Sequence, residues 1–181
     1  MALSMYAASV PVFLQFLTAL SDVIGKASVH AKVHNIEESF LLQMRLYPDM
    51  YSLVLQVQQC CSHAARICGM LAGMPLLNLP KEEKTFAELQ ASIAATMAYL
   101  KTLPARQFEG TDEQIFDFNG RLLSGRILLL HRVLPHFYFH CTTAYDILRH
   151  CGVPLVKHDF LGVPQELMHD PAGLRNWSFS R

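Results

Sequence analysis

A surplus of positive or negative charge is missing from this sequence. Fifteen lysines and arginines stand against fifteen aspartates and glutamates, and the formal charge is zero. A nucleic-acid partner calls for a basic surplus, so that class is set aside. Charged residues make up 17% of the chain and hydrophobic ones 51%, which excludes a disordered polymer and describes a packed globule. There is no clean apolar run of about 20 residues, as a membrane helix requires. The most apolar segment, MALSMYAASVPVFLQFLTAL, is broken by Ser9, Gln15 and Thr18 and shows neither a basic leader nor a cleavage site. It reads as a core helix of a cytoplasmic protein with no membrane partner. Glycine-rich phosphate loops, GxSxG, Walker motifs, internal repeats and low-complexity tracts are absent too. The five cysteines make no CxxC spacing, so Cys60, Cys61, Cys68, Cys141 and Cys151 are expected as reduced, buried thiols.

What is present is helical periodicity over 181 residues, the length of one domain, residues 1–181. Val12, Phe13, Phe16, Leu17, Leu20 and Ile24 place an amphipathic helix over about 5–30. A short helical piece comes next at IEESFLLQM, with Asn35 and Glu38 spaced as a capping box. Pro48 and Asp49 suit the first turn of the next helix, whose stripe is Val54, Val57, Cys61, Ala64, Cys68 and Leu71. Gly73 and Pro75 end it. Thr85 and Glu88 form a second capping box, opening a helix that runs through residue 103 to Pro104. Residues 105–113 read as a polar loop.

Asn119–Gly120 between short apolar runs predicts a β-hairpin at about 114–123. Ser124 can cap the helical segment that begins after it, and Pro135 either kinks one helix or starts a fresh one. That last helix stops at Gly152–Val153–Pro154, and the tail, with Trp177, is expected to wrap the outside. The fold class is therefore all-α: a four-helix bundle with a small hairpin insert before the last long helix. Pattern alone leaves up-down-up-down and crossover connections both open.

Nine histidines are the chemical feature that stands out. His136 and His140 are four apart, hence one turn apart on one helix face. Two imidazoles from one helix supply two corners of a divalent metal site, and a third must come from elsewhere. His63 suits that role, lying mid-helix between Ser62, Ala64 and Ala65, which leave room. Three protein ligands and an open position make a reactive site rather than a closed structural one. The competing reading is that an HxxxH pair arises by chance and its rings are half-buried, hydrogen-bonded structural groups. Phe137 stands where zinc proteases of the HExxH type place a glutamate, so the usual helix-borne base is missing. His30 and His34 are also four apart, but in a polar stretch that reads as a solvated face. Asp49 with Arg45, and Asp146 with Arg149, read as structural ion pairs. The aromatics at 137, 138, 139 and 145 read as core.

Three blocks carry a resemblance: LLQMRLYPDMYSLVLQVQQCCSHA, TFAELQASIAATMAYLK and LPHFYFHCTTAYDILRHCGVPLVKHDFLG. Over about residues 4–163 the chain resembles a bacterial and fungal family, without an assigned reaction, in the DinB/YfiT-like superfamily. The resemblance implies an up-down-down-up four-helix bundle, often a homodimer. It also implies a divalent metal, zinc or nickel first, on His63, His136 and His140, in a site that need not be filled. Many superfamily members follow the second histidine with Arg-Gly-Gln, whereas this chain has Cys141, Thr142 and Thr143. No expectation about the groups around the ligands therefore carries over. Two functions stand as expectations. One is a metal-binding protein, a metal-dependent hydrolase or thiol-dependent transferase if catalytic. The other is a non-catalytic module that takes a small-molecule ligand in an aromatic pocket, its histidines structural.

Overall fold

The structure is a computed structural model that describes residues 4–164. Four long helices form the body: α1 (Val10–His34), α3 (Leu53–Ala72), α4 (Phe86–Thr102) and α6 (Leu134–His150). Three short ones accompany them: α2 (Glu38–Gln43), α5 (Gly125–Ile127) and α7 (Lys157–Leu161). Strands β1 (Ile115–Phe118) and β2 (Arg121–Ser124) pair antiparallel with Phe118 opposite Arg121. Asn119 and Gly120 between them both take positive φ, 54° and 76°, the conformation a two-residue turn demands and Asn-Gly tolerates.

Side-chain contacts fix the topology that the pattern leaves open. Thr18 and Ser21 on α1 meet Met97 and Gln90 on α4, so these helices run antiparallel. Gln56, Cys60 and His63 on α3 meet His140, Cys141 and His136 on α6, also antiparallel. Gln58 and Ser92 both hold the carboxylate of Glu83, and Gly69 farther along α3 lies against Tyr99 on α4, so α3 and α4 run the same way. The order is up-down-down-up. The core between the helices includes Phe13, Leu17 and Ile24 of α1, Val57, Ala64 and Cys68 of α3, Leu89 and Ile93 of α4, and Phe137, Ala144 and Leu148 of α6, all buried. Among the described residues α1 is the one helix long and apolar enough to cross a membrane by length and composition. Here its stripe faces the other helices.

Several local expectations hold. Thr85 accepts from the Glu88 amide while the Glu88 carboxylate accepts from the Thr85 amide, the complete capping box. Gly73 closes α3 in the left-handed region, φ 61°, and Ser124 accepts from the Ile127 amide. The cysteines are free thiols, four buried and Cys151 half-buried.

Others are corrected. The first helix begins at Val10 and runs to His34, so His30 and His34 form its last turn. Asn35 does not cap α2; it is the left-handed residue, φ 52°, that terminates α1, its amide returning to Lys32. Glu38 instead accepts from the amide of Phe86, tying α2 to the start of α4. Pro48 and Asp49 lie in a turn, and α3 starts only at Leu53 after Ser52. Arg45 donates to the carbonyl of Met50 rather than pairing with Asp49. The segment after Pro104 is not wholly polar loop: Ala105–Phe108 is a 3-10 turn whose Phe108 is buried edge-on against Tyr6.

Pro135 stands in the first turn of α6, where a helix tolerates a proline, as one of the two expectations had it. Leu128–Val133 is π-helical, with the Leu134 amide reaching back to Leu129, and α6 continues from it without interruption. Proline has no N–H to return to the preceding turn, and a locally widened turn accommodates that loss. Phe137 is fully buried, whereas Phe139, expected in the core, is 55% exposed. The start of the tail packs on α1 through the Lys26–Asp159 ion pair (2.6 Å) and Gln15 donating to the Leu161 carbonyl. Trp177, His169 and the rest of the expected wrap lie outside the described residues.

Candidate metal centre

The antiparallel contact of α3 with α6 brings His63 to the pair His136 and His140. Ring centroids of His63 lie 5.3 Å from His136 and 5.5 Å from His140, and those of His136 and His140 are 6.4 Å apart. One nitrogen from each ring lies within 4.8 Å of the others. Among the described residues this is the one group of three or more His, Cys, Asp or Glu placed to hold a metal ion. Helix periodicity explains the α6 half. His136 and His140 share a face one turn apart, while Phe137 and Cys141, one residue on from each, turn into the core. Phe137 packs edge-on against Phe13 at 4.8 Å, which pins the helix azimuth and with it both histidines.

His140 is 8% exposed and is held by a partner that spacing alone does not single out, Gln56. The Gln56 side-chain nitrogen donates to the carbonyl of Tyr51 (3.2 Å), so its side-chain oxygen must be the atom facing His140 Nδ1 at 2.7 Å. That oxygen only accepts, so Nδ1 carries the proton and donates. The lone pair of His140 is thereby assigned to Nε2, the nitrogen left for a metal. Gln56 was legible in principle, since it lies seven residues before His63 and therefore on the same face of α3.

Electrostatics keeps the rings neutral. Burial, then His140 and His136, then the guanidinium groups of Arg66 and Arg132, lower the pKa of His63 to about 4. Burial and then His136 bring His140 to about 4 as well. His136 is lowered too, by burial and by Arg132. Unprotonated imidazole is the form that ligates a metal.

Beside the trio is an open chamber of about 220 Å³ between α3, α6 and the hairpin turn, walled by His63, His136, Arg66, Arg132 and Asn119 among others. Neither arginine was singled out from sequence, although Arg66 follows His63 by three and Arg132 precedes His136 by four, spacings that share a helix face. A larger groove of about 380 Å³ adjoins it, between α3 and residues 74–84, sharing Gln59, Ser62 and Arg66 as walls. The aromatic wall behind α6 is closed instead. Phe16, Tyr145 and Phe160 leave about 10 Å³ there, room for one water at most. The His30–His34 pair stands apart as the end of α1, with His34 Nδ1 against the His30 carbonyl at 2.9 Å. His131 and His158 are exposed.

Comparison with known proteins agrees with this architecture. Residues 5–161 match the family model described as "Domain of unknown function (DUF1993)". No curated protein matches. Among solved structures, a DinB family member protein from Shewanella denitrificans is 32% identical, covering 88% of this chain and 92% of that one, with a TM-score of 0.84. With nearly its whole described length inside that family model and superposed on that bundle, the chain belongs to the DUF1993 family and shares the fold of the DinB family.

Proposed function

We propose that this protein binds one divalent metal ion through His63, His136 and His140, and that the ion keeps a coordination position open toward the chamber. The observation that carries the reading is Gln56, which orients His140 as a buried ligating histidine is oriented elsewhere, by a hydrogen bond to the far nitrogen. A buried structural histidine would take such a bond too; the two further neutral imidazoles, one nitrogen of each ring within 4.8 Å of the others, favour a ligand. Nitrogens about 2.0–2.1 Å from a common tetrahedral metal are about 3.4 Å apart. The present limit of 4.8 Å closes by a modest swing of the two half-buried rings, His63 and His136. Three imidazoles suit zinc or nickel, borderline metals that favour nitrogen ligands.

A metal held this way lowers the pKa of a bound water or thiol and makes it a nucleophile. The protein's own contribution is to hold three neutral donors, to fix the His140 tautomer, and to shape the space beside them. Phe137, buried against Phe13, cannot act as a base. No carboxylate lines the chamber to serve as one in its place.

Metal analysis of the purified chain beside His140→Ala tests the reading, with circular dichroism to verify folding. About one equivalent in the parent and near none in the variant is expected. Equal metal content in both would overturn the assignment.

A further inference from the structure

We propose that Arg66 and Arg132 form an anion subsite beside the metal position, so that the ligand taken up there is a small organic acid with its carboxylate on these two guanidinium groups. The inference rests on the metal reading and adds the chemical class of what binds.

The chamber is walled by His63 and Arg66 from α3 and by His136 and Arg132 from the last long helical segment, and no aspartate or glutamate lines it. Two permanent positive charges face one small space with no protein counter-charge in its walls. Bringing a divalent cation beside them raises that imbalance further. An anionic ligand is what this arrangement lacks, and a neutral one would leave the imbalance standing.

Arg66 is also fixed in place. Its Nη2 donates to the side-chain oxygen of Asn119 at 2.9 Å, and its guanidinium carbon lies 4.3 Å from the centre of the Phe118 ring. A guanidinium has five N–H groups in a rigid fork. One is used by the hairpin turn and the ring covers a face, so the remaining edge keeps donors for a carboxylate, a geometry that Arg matches with two parallel bonds. This gives the hairpin insert a use: its Asn-Gly turn, formed by local sequence, braces the arginine. Arg132 is exposed and stands one turn before His136 on the same face, so it approaches from the α6 side.

The size limits the ligand. A chamber of about 220 Å³ is many times the roughly 10–15 Å³ that one water needs. That admits a carboxylate, a short linker and a metal-binding head. Because Gln59, Ser62 and Arg66 also wall the adjoining groove, a longer acid has a path for its remainder past the arginine.

Cobalt(II)-loaded full-length protein provides the test, since thiolate bound to cobalt gives a charge-transfer absorption that reports occupancy without any assay of activity. The probes are 3-mercaptopropionate and its neutral isostere 3-mercaptopropanamide, titrated into the parent, Arg132→Gln and Arg66→Gln. The expected result is that the acid binds the parent about tenfold tighter than the amide, and that each substitution removes most of this preference while cobalt content is kept. Arg132→Gln changes an exposed side chain, so its reading is free of any shift in the hairpin. Equal affinities in the parent, or a preference that survives both substitutions, overturn the anion subsite and leave the metal site standing. A protein that takes up no cobalt overturns both.

Discussion

Gln56 acts at the scale of a single residue, and its effect is disproportionate to its size. Being 1% exposed, it would be a liability as an unsatisfied amide. Both ends are used, the nitrogen on the Tyr51 carbonyl and the oxygen on His140 Nδ1. Gln56→Met keeps the volume and removes both bonds. His140 is then free to rotate and to exchange tautomers, so metal affinity is expected to fall by about 10–100-fold with the three ligands intact. Calorimetric titration with zinc measures it, and an unchanged dissociation constant would show that the hydrogen bond does not orient the ligand. The grouping of His63, His136 and His140 was legible from spacing and resemblance. Gln56 was not singled out despite its spacing from His63, because a glutamine on a helix reads as solvated until the partner helix is laid against it.

At the scale of elements, the join between the hairpin and the last long helix decides where the chamber lies. β2 ends at Ser124, and Gly125 comes at once, its amide donating to the Gln114 carbonyl at 2.9 Å. A Cβ on Gly125 would collide with the carbonyl oxygen of Thr111 and crowd Leu71 and Phe116. The glycine is there for space, to let the chain turn tightly from strand into helix. Gly125→Ala is expected to destabilise the protein by about 1–3 kcal/mol, read as a lower denaturant midpoint, because backbone must move. An unchanged midpoint would mean that the join yields freely. Signals carried by a few neighbouring residues were readable here: the Asn-Gly turn, the Thr85–Glu88 box and the Ser124 cap. Asn35 and Pro48 misled for a physical reason. The same residue types serve helix ends, helix starts and plain turns, and a tertiary bond such as Glu38 to the Phe86 amide chooses among them.

At the scale of the whole molecule, burying neutral imidazoles links stability to pH. His63 and His140 have pKa values of about 4 in the folded chain against an ordinary value of 6.5. Between those values the unfolded chain takes up protons that the folded chain refuses, so stability rises with pH across that window. The contribution is complete above about 6.5 and is lost as pH falls toward about 4. For metal-free protein the urea midpoint should therefore drop from about pH 7 to about pH 4.5. Replacing both histidines, His63→Leu with His140→Leu, should flatten the drop over that range. An equal drop in parent and double variant would show that other groups carry it.

Local sequence by itself determined that this chain makes four long helices and one hairpin, where most of them end, and that two histidines share a face of the last helix. Those properties depend on periodicity, caps and turn chemistry, all of which act over a few residues. The direction of each helix, the meeting of His63 with His136 and His140, the Gln56 bond and the two arginines around one chamber were decided only by tertiary structure. They depend on which faces of α3 and α6 are pressed together. That choice belongs to the buried packing of Phe13, Phe137 and their neighbours, residues far apart in sequence whose shapes fit in one arrangement.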